Sequence, residues 1–339
     1  MKMKVIFSRK GFDSSYGGFP SIILPDGQMI SFPIPEKGKK KTMNETDSEI
    51  KGIEAENLKF ILADKKKLSL KEIFEKYNIQ KIKIPGNTPT EQEVENTIFH
   101  YDPQIQNVVQ RIYDQDNNKI KNITNEYAAF GQSRAAASHL LNQEISKDDV
   151  FLFFGTFKWT GKDKKNRKEF HALWGYMIVD DVFNIDNEFT HINGIEDYNN
   201  PSSEYPNLEF HPHYNNKKHE GKKNIIICSK RFGTFIFDED KLKLTENDST
   251  KSHWKIPNFW KISDKNAKIS MTYNTNNLEE ILDDGNLKIK SASIGQEFVI
   301  KKYNPEIMKD WLEKILGCCN KKTKEKLKIE KKSLVWDQQ

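Results

Sequence analysis

Short apolar runs alternate with polar, turn-forming clusters along most of the chain. Lys4–Ser8 is apolar and runs into SRKGFDSSYGG, a strand entering a turn rich in Gly and Ser. Ser21–Pro33 carries a hairpin signal, SIIL and QMISF on either side of Pro25-Asp26-Gly27. There Pro presets φ and Gly accepts the positive φ that follows. Buried strands are predicted over Val150–Phe157 and Phe170–Val182, joined by a basic hairpin loop, TGKDKKNRKE, and further strands at Asn224–Cys228, Gly233–Phe237 and Glu297–Ile300. Helical spacing occurs in three places. Leu68–Tyr77 has Ser69 as a cap, Ala128–Leu141 is alanine-rich, and Pro305–Leu316 is amphipathic with Pro in its first turn. Strands interspersed with few helices predict an α+β fold, with a mixed or barrel-like central β-sheet and flanking helices. One domain over residues 1–317 is expected, with a mobile polar loop at 37–51 and a basic C-terminal tail at 318–339.

Composition narrows the classes. Of 339 residues, 36% are hydrophobic and 30% charged, but the 11% of aromatic residues supply enough bulk for a core, which argues against general disorder. The net charge of +5 is compatible with nucleic acid without demanding it. The three cysteines, Cys228, Cys318 and Cys319, form no disulfide framework or CxxC pair, which fits a reducing compartment. No apolar stretch approaches the roughly 18 residues needed to span a bilayer, so a soluble, cytoplasmic protein with no membrane partner is expected. No GxGxxG follows a strand and no GxxxxGK[ST] occurs, so dinucleotide and P-loop chemistry is not supported and any cofactor stays undefined.

Six segments could carry chemistry. Ser8, Arg9, Lys10, Asp13 and Ser14 put cations and hydroxyls at a strand end, where they could cradle phosphate or simply form a polar turn. His100 and Asp102, two apart on an extended segment, could pair as acid and base or begin the Asp102-Pro103 turn. Gln132, Arg134, Ser138 and His139 lie near a helix start suited to an anion or a base edge, although a histidine in AAASHLL is commonly structural. His211-Pro212-His213 offers two imidazoles. No Glu-x-x-His or Cys partner joins them, so proton transfer or phosphate contact is preferred and no metal is expected. Trp254 and Trp260 flank Pro257 and could stack a base, whereas Trp174 reads as core. Gln296 and Glu297 open a strand with an amide and a carboxylate, able to read a base edge or act as an acid, or to pair with a lysine.

Taken in order, SRKGFDSSYGGFPS, ILPDG, SFPIP, HYDPQI, FGQSRAAASHL, DDVFLFFGTF, FHALWGYMIV, HPH, SHWKIPNFW and GQEFV resemble the nucleotide-modification-associated domain family of the third type over nearly the whole chain. The resemblance implies bacterial, archaeal or phage proteins linked by genomic context to modification of bases or nucleotides. It supports Ser8, Arg9, Lys10, Asp13, Asp102, Gln132, His139, His211, His213, Gln296 and Glu297 as site residues. Arg134 departs from the pattern, where a smaller residue is expected. Residues 149–182 also resemble the small barrels of base-recognising PUA-like and EVE-like domains. The expected function is modification of a base or nucleotide by group transfer or hydrolysis. Asp13, His211, His213 and Glu297 are the expected catalytic groups. Ser8, Arg9, Lys10, Ser14, Asp102, Gln132, Arg134, His139, Trp254 and Gln296 are expected to bind substrate. The alternative is a non-catalytic reader of a modified base or nucleotide, on DNA, RNA or free in solution, in a phage-defence system.

Overall fold

The computed structural model describes residues 3–13, 16–36, 52–84, 90–114, 119–161, 168–185, 190–191, 204–214, 219, 221–258, 270–271, 278–281, 286–291, 297–301 and 303–319. The loop at 37–51 and the tail from 320 onward lie outside them, as do residues 162–167 of the basic hairpin loop.

The architecture is mostly β. Among the described residues 46% are in strands and 17% in helices, and the strands form several small sheets with no closed barrel. The α+β expectation is therefore corrected. The physical reason is that most of the buried apolar residues lie in strands, while the α-helices among the described residues span at most 12 residues. The largest sheet is open. Its main path runs Arg231–Thr234, Phe170–Ile178, Val150–Trp159, Val5–Arg9, Glu297–Ile300, Ser270–Met271, and the Ser21–Ile23/Met29–Ile30 hairpin joins through Val150–Trp159. Val5–Arg9 and Ser21–Ile23 pair parallel to Val150–Trp159, while the other pairings are antiparallel. Every residue of Phe170–Ile178 is buried, as a largely apolar run in a central strand requires, His171 included.

Local signals were mostly decisive where a cap or turn fixes the chain. Leu70–Lys76 is a helix entered through a capping box: Glu72 N–H donates to Ser69 Oγ at 3.1 Å and Ser69 N–H donates to Glu72 Oε2 at 2.6 Å. Pro305–Leu316 buries Met308, Trp311, Leu312 and Ile315, and Asn304 caps it. The segment predicted as one helix from Ala128 divides instead. Ala128–Ser133 is a strand paired antiparallel with Asn224–Ser229, and the helix spans Arg134–Asn142. Alanine favours helix intrinsically, but here Ala128 and Ala129 are buried in a strand paired with Asn224–Ser229, and tertiary packing overrides the propensity.

Two large cores result. One encloses the central sheet and the last helix and also takes in Cys318 and Cys319. The other is built on phenylalanines, with Phe12 and Phe32 centroids 5.4 Å apart and Phe32 and Phe74 5.0 Å apart. Such pairs add about 0.5–1.5 kcal/mol each beyond area burial. No helix among the described residues is long and apolar enough to cross a membrane.

Candidate functional site

A buried polar network lies where three sheets meet. In the central sheet Ser8 is directly opposite Glu297, and Ser8 Oγ donates to Glu297 Oε1 at 3.2 Å. Gln132, on the Ala128–Ser133 strand, donates its amide N–H to the same oxygen. Lys10 follows the first strand, with its N–H donating to Phe154 O at 2.8 Å and its ammonium 4.5 Å from the centre of the Phe130 ring. Gly155 makes that approach possible, because a Cβ there would stand 2.4 Å from Lys10 O.

Asp102 is the second focus. Its Oδ1 accepts from Gly131 N–H at 2.8 Å and lies 3.3 Å from His211 Nε2, while its Oδ2 lies 3.9 Å from His100 Nε2. His100 ends the Ile98–His100 strand, which pairs with Ile34–Glu36, and its Nδ1 is 3.2 Å from Glu36 Oε1. His213 lies against Gly131: a Cβ there would come within 2.3 Å of its ring. His219 stacks on His213 with centroids 4.3 Å apart and planes 7° from parallel. His100, Asp102 and His213 can each turn one donor atom inward, all within 4.8 Å of one another, so these three could hold a metal ion.

The environment holds the two carboxyls in different states. Burial raises Glu297 to about 7, aided by the Asp102 charge and only partly opposed by Lys10, Ser8 and Gln132. Burial would also raise Asp102, but His211, together with the charges of Lys10, His211 and His213, outweighs it and holds Asp102 below the usual carboxylate range. Burial lowers both His211 and His213, and the Asp102 charge opposes it.

The network thus gathers Ser8, Lys10, Asp102, Gln132, His211, His213 and Glu297, from segments almost 300 residues apart. Arg9 and Asp13 are placed elsewhere. Arg9 lies on the alternate face of its strand, pairs with Asp13 at 2.7 Å and directs its charge toward His171. Trp254 is enclosed in the core at 1% exposure, and its indole N–H donates to His171 Nδ1 at 3.0 Å; the ring is wrapped by Phe154 and Phe298 rather than offered to a base. Arg134 is exposed at the start of its helix, and His139 is half-buried with its ionisation lowered by burial and by Lys301. Ser14, Gln296 and Trp260 lie outside the described residues. Separate from the network, Gln104, Gln110, Asn125, Tyr127, Asn207 and Phe210 line a shallow surface depression.

Sequence reasoning underweighted His100, whose HYDP motif also suits a turn, and missed Glu36, His219, Gly131 and Asn224. Nothing in SFPIPE or KKHEGKK marks Glu36 or His219 as neighbours of HPH. Sheet pairing brings Glu36 to His100, and ring stacking seats His219 on His213.

Comparison with curated proteins and with solved structures returned no match. A family model described as nucleotide modification associated domain 3 matches residues 4–301, a span that includes every member of the network. The chain belongs to the nucleotide modification associated domain 3 family.

Proposed function

We propose that the protein is an enzyme that modifies a base or nucleotide by group transfer or hydrolysis at the Ser8–Asp102–Glu297 network. The observation that carries this reading is the pair of carboxyls in one buried cluster. Glu297 keeps its proton near neutral pH and Asp102 does not, a division characteristic of acid and base partners. In this reading Glu297 donates a proton to a leaving group on the substrate. Asp102, ionised and buttressed by His211, polarises the attacking group. Lys10, the cation of the cluster, binds substrate phosphate. All three cysteines are buried, with no disulfide framework in the sequence, which supports action inside the cell, and a part in phage defence is compatible with it.

The test is incubation of the full-length protein with modified and unmodified nucleotides and DNA, with products followed by mass spectrometry. Wild type should form product; Glu297→Gln should lower turnover by about 100-fold or more while remaining folded, a loss within the range for removing a general acid. Saturable binding with no product from wild type would overturn the enzymatic reading and identify a non-catalytic reader.

A further inference from the structure

We propose that His100, Asp102 and His213 form a binding site for one divalent first-row transition-metal ion. This deepens the reading above and relies on it for any catalytic meaning, although binding of the metal itself can be judged separately.

Hydrogen bonding at the edge of the cluster prepares each ligand. Asn224 donates its amide N–H to His213 O at 2.9 Å, so its amide oxygen is the atom that meets His213 Nδ1 at 2.8 Å. An amide oxygen only accepts, so His213 carries its proton on Nδ1 and keeps the Nε2 lone pair for a metal. Asp102 is oriented in the same way. Gly131 N–H and His211 occupy the Oδ1 side, which leaves Oδ2 turned toward His100 Nε2. His211 Nδ1 accepts from His213 N–H at 3.2 Å, which places the His211 proton on Nε2, facing Asp102 as a supporting group. Glu36 beside His100 Nδ1 completes the carboxylate–histidine arrangement that commonly backs a metal-bound imidazole.

His100 Nδ1 and His211 Nε2 lie close to carboxylate oxygens without being directed as hydrogen bonds, so these supporting contacts would align as an ion draws the ligands together. A four-coordinate centre with bonds of about 2.0–2.1 Å spaces its donors about 3.4 Å apart. The 4.8 Å limit on the present donors therefore requires closure by no more than about 1.4 Å, within reach of side-chain rotation. Two imidazoles and one carboxylate suit Zn2+, Fe2+ or Mn2+ better than Mg2+ or Ca2+, which prefer all-oxygen shells. Three protein ligands would leave a position open.

The experiment uses untagged, chelator-stripped, full-length protein and the ions alone. With Zn2+, metal content should approach one equivalent per chain, and X-ray absorption of the loaded wild type should show two imidazole ligands. His100→Gln and Glu36→Gln should each bind at least about 10-fold more weakly, with circular dichroism matching wild type. Mg2+ should compete poorly. A Zn2+ shell containing cysteine sulfur or no imidazole, Mg2+ binding as tight as Zn2+, or affinity unchanged in folded His100→Gln would overturn the site. Zn2+ bound as described without turnover of any nucleotide removes the enzymatic reading and leaves this one standing. Turnover by stripped protein that binds no ion does the reverse.

Discussion

Replacing Glu297 by Gln changes a buried acid into a neutral amide of nearly the same shape, and the consequence for stability depends on pH. The Glu297 side chain is 1% exposed; Ser8 and Gln132 bond to it, and the charges of Lys10 and Asp102 act on it. Its ionisation moves from the ordinary 4.5 to about 7 on folding. Between those values the native state holds a proton that the unfolded chain has released, so this group's contribution is fully present below 4.5. It is lost as pH rises through 7. At 1.36 kcal/mol per pH unit, the loss is about 3 kcal/mol. Urea denaturation at pH 5 and pH 8 measures it. The difference between wild type and Glu297→Gln should shift by roughly 3 kcal/mol in favour of the variant on going to pH 8. Taking that difference cancels the buried histidines, whose own contribution grows as pH rises. Parallel pH profiles for the two proteins would refute the claim that Glu297 is a protonated acid in the folded chain. A variant that is more stable at pH 8 but inactive would also show the tension between stability and activity expected of a working site.

Further perturbations address the surroundings. Burial, with the Arg9 and Lys251 charges, lowers His171 to about 3, so stability should fall as pH drops below about 6.5, by about 2 kcal/mol at pH 5 from this residue. His171→Asn, which can keep an acceptor for Trp254, should flatten that part of the urea-denaturation profile. Asp149 accepts from Lys4 N–H at 2.7 Å and from Ser146 N–H at 2.9 Å, and it pairs with the buried Lys4 ammonium at 3.3 Å. Asp149→Ala should therefore cost about 3–5 kcal/mol by removing a carboxylate from the buried Lys4 ammonium, read from the urea midpoint. Gly131→Ala should displace the His213 ring and cost about 1–3 kcal/mol, with a lower melting temperature.

The amino-acid sequence by itself settled several local elements and the family. Pro25-Asp26-Gly27, the Ser69 capping box and the spacing in Pro305–Leu316 act within a few residues, so their outcome does not depend on distant neighbours. Motif order was likewise sufficient for the family. Only the tertiary structure decided whether Ala128–Ser133 would be strand or helix, because its partner, Asn224–Ser229, lies almost a hundred residues away. The same holds for the site. Ser8 meets Glu297 and His100 meets Glu36 through strand register, and no spacing along the chain encodes those contacts. Strand alternation likewise turned Arg9 away from Ser8 and Lys10, although all three look equally available in a single polar segment. Protonation states were the least legible, since one carboxylic acid differs from another only through burial and the charges that folding brings near it.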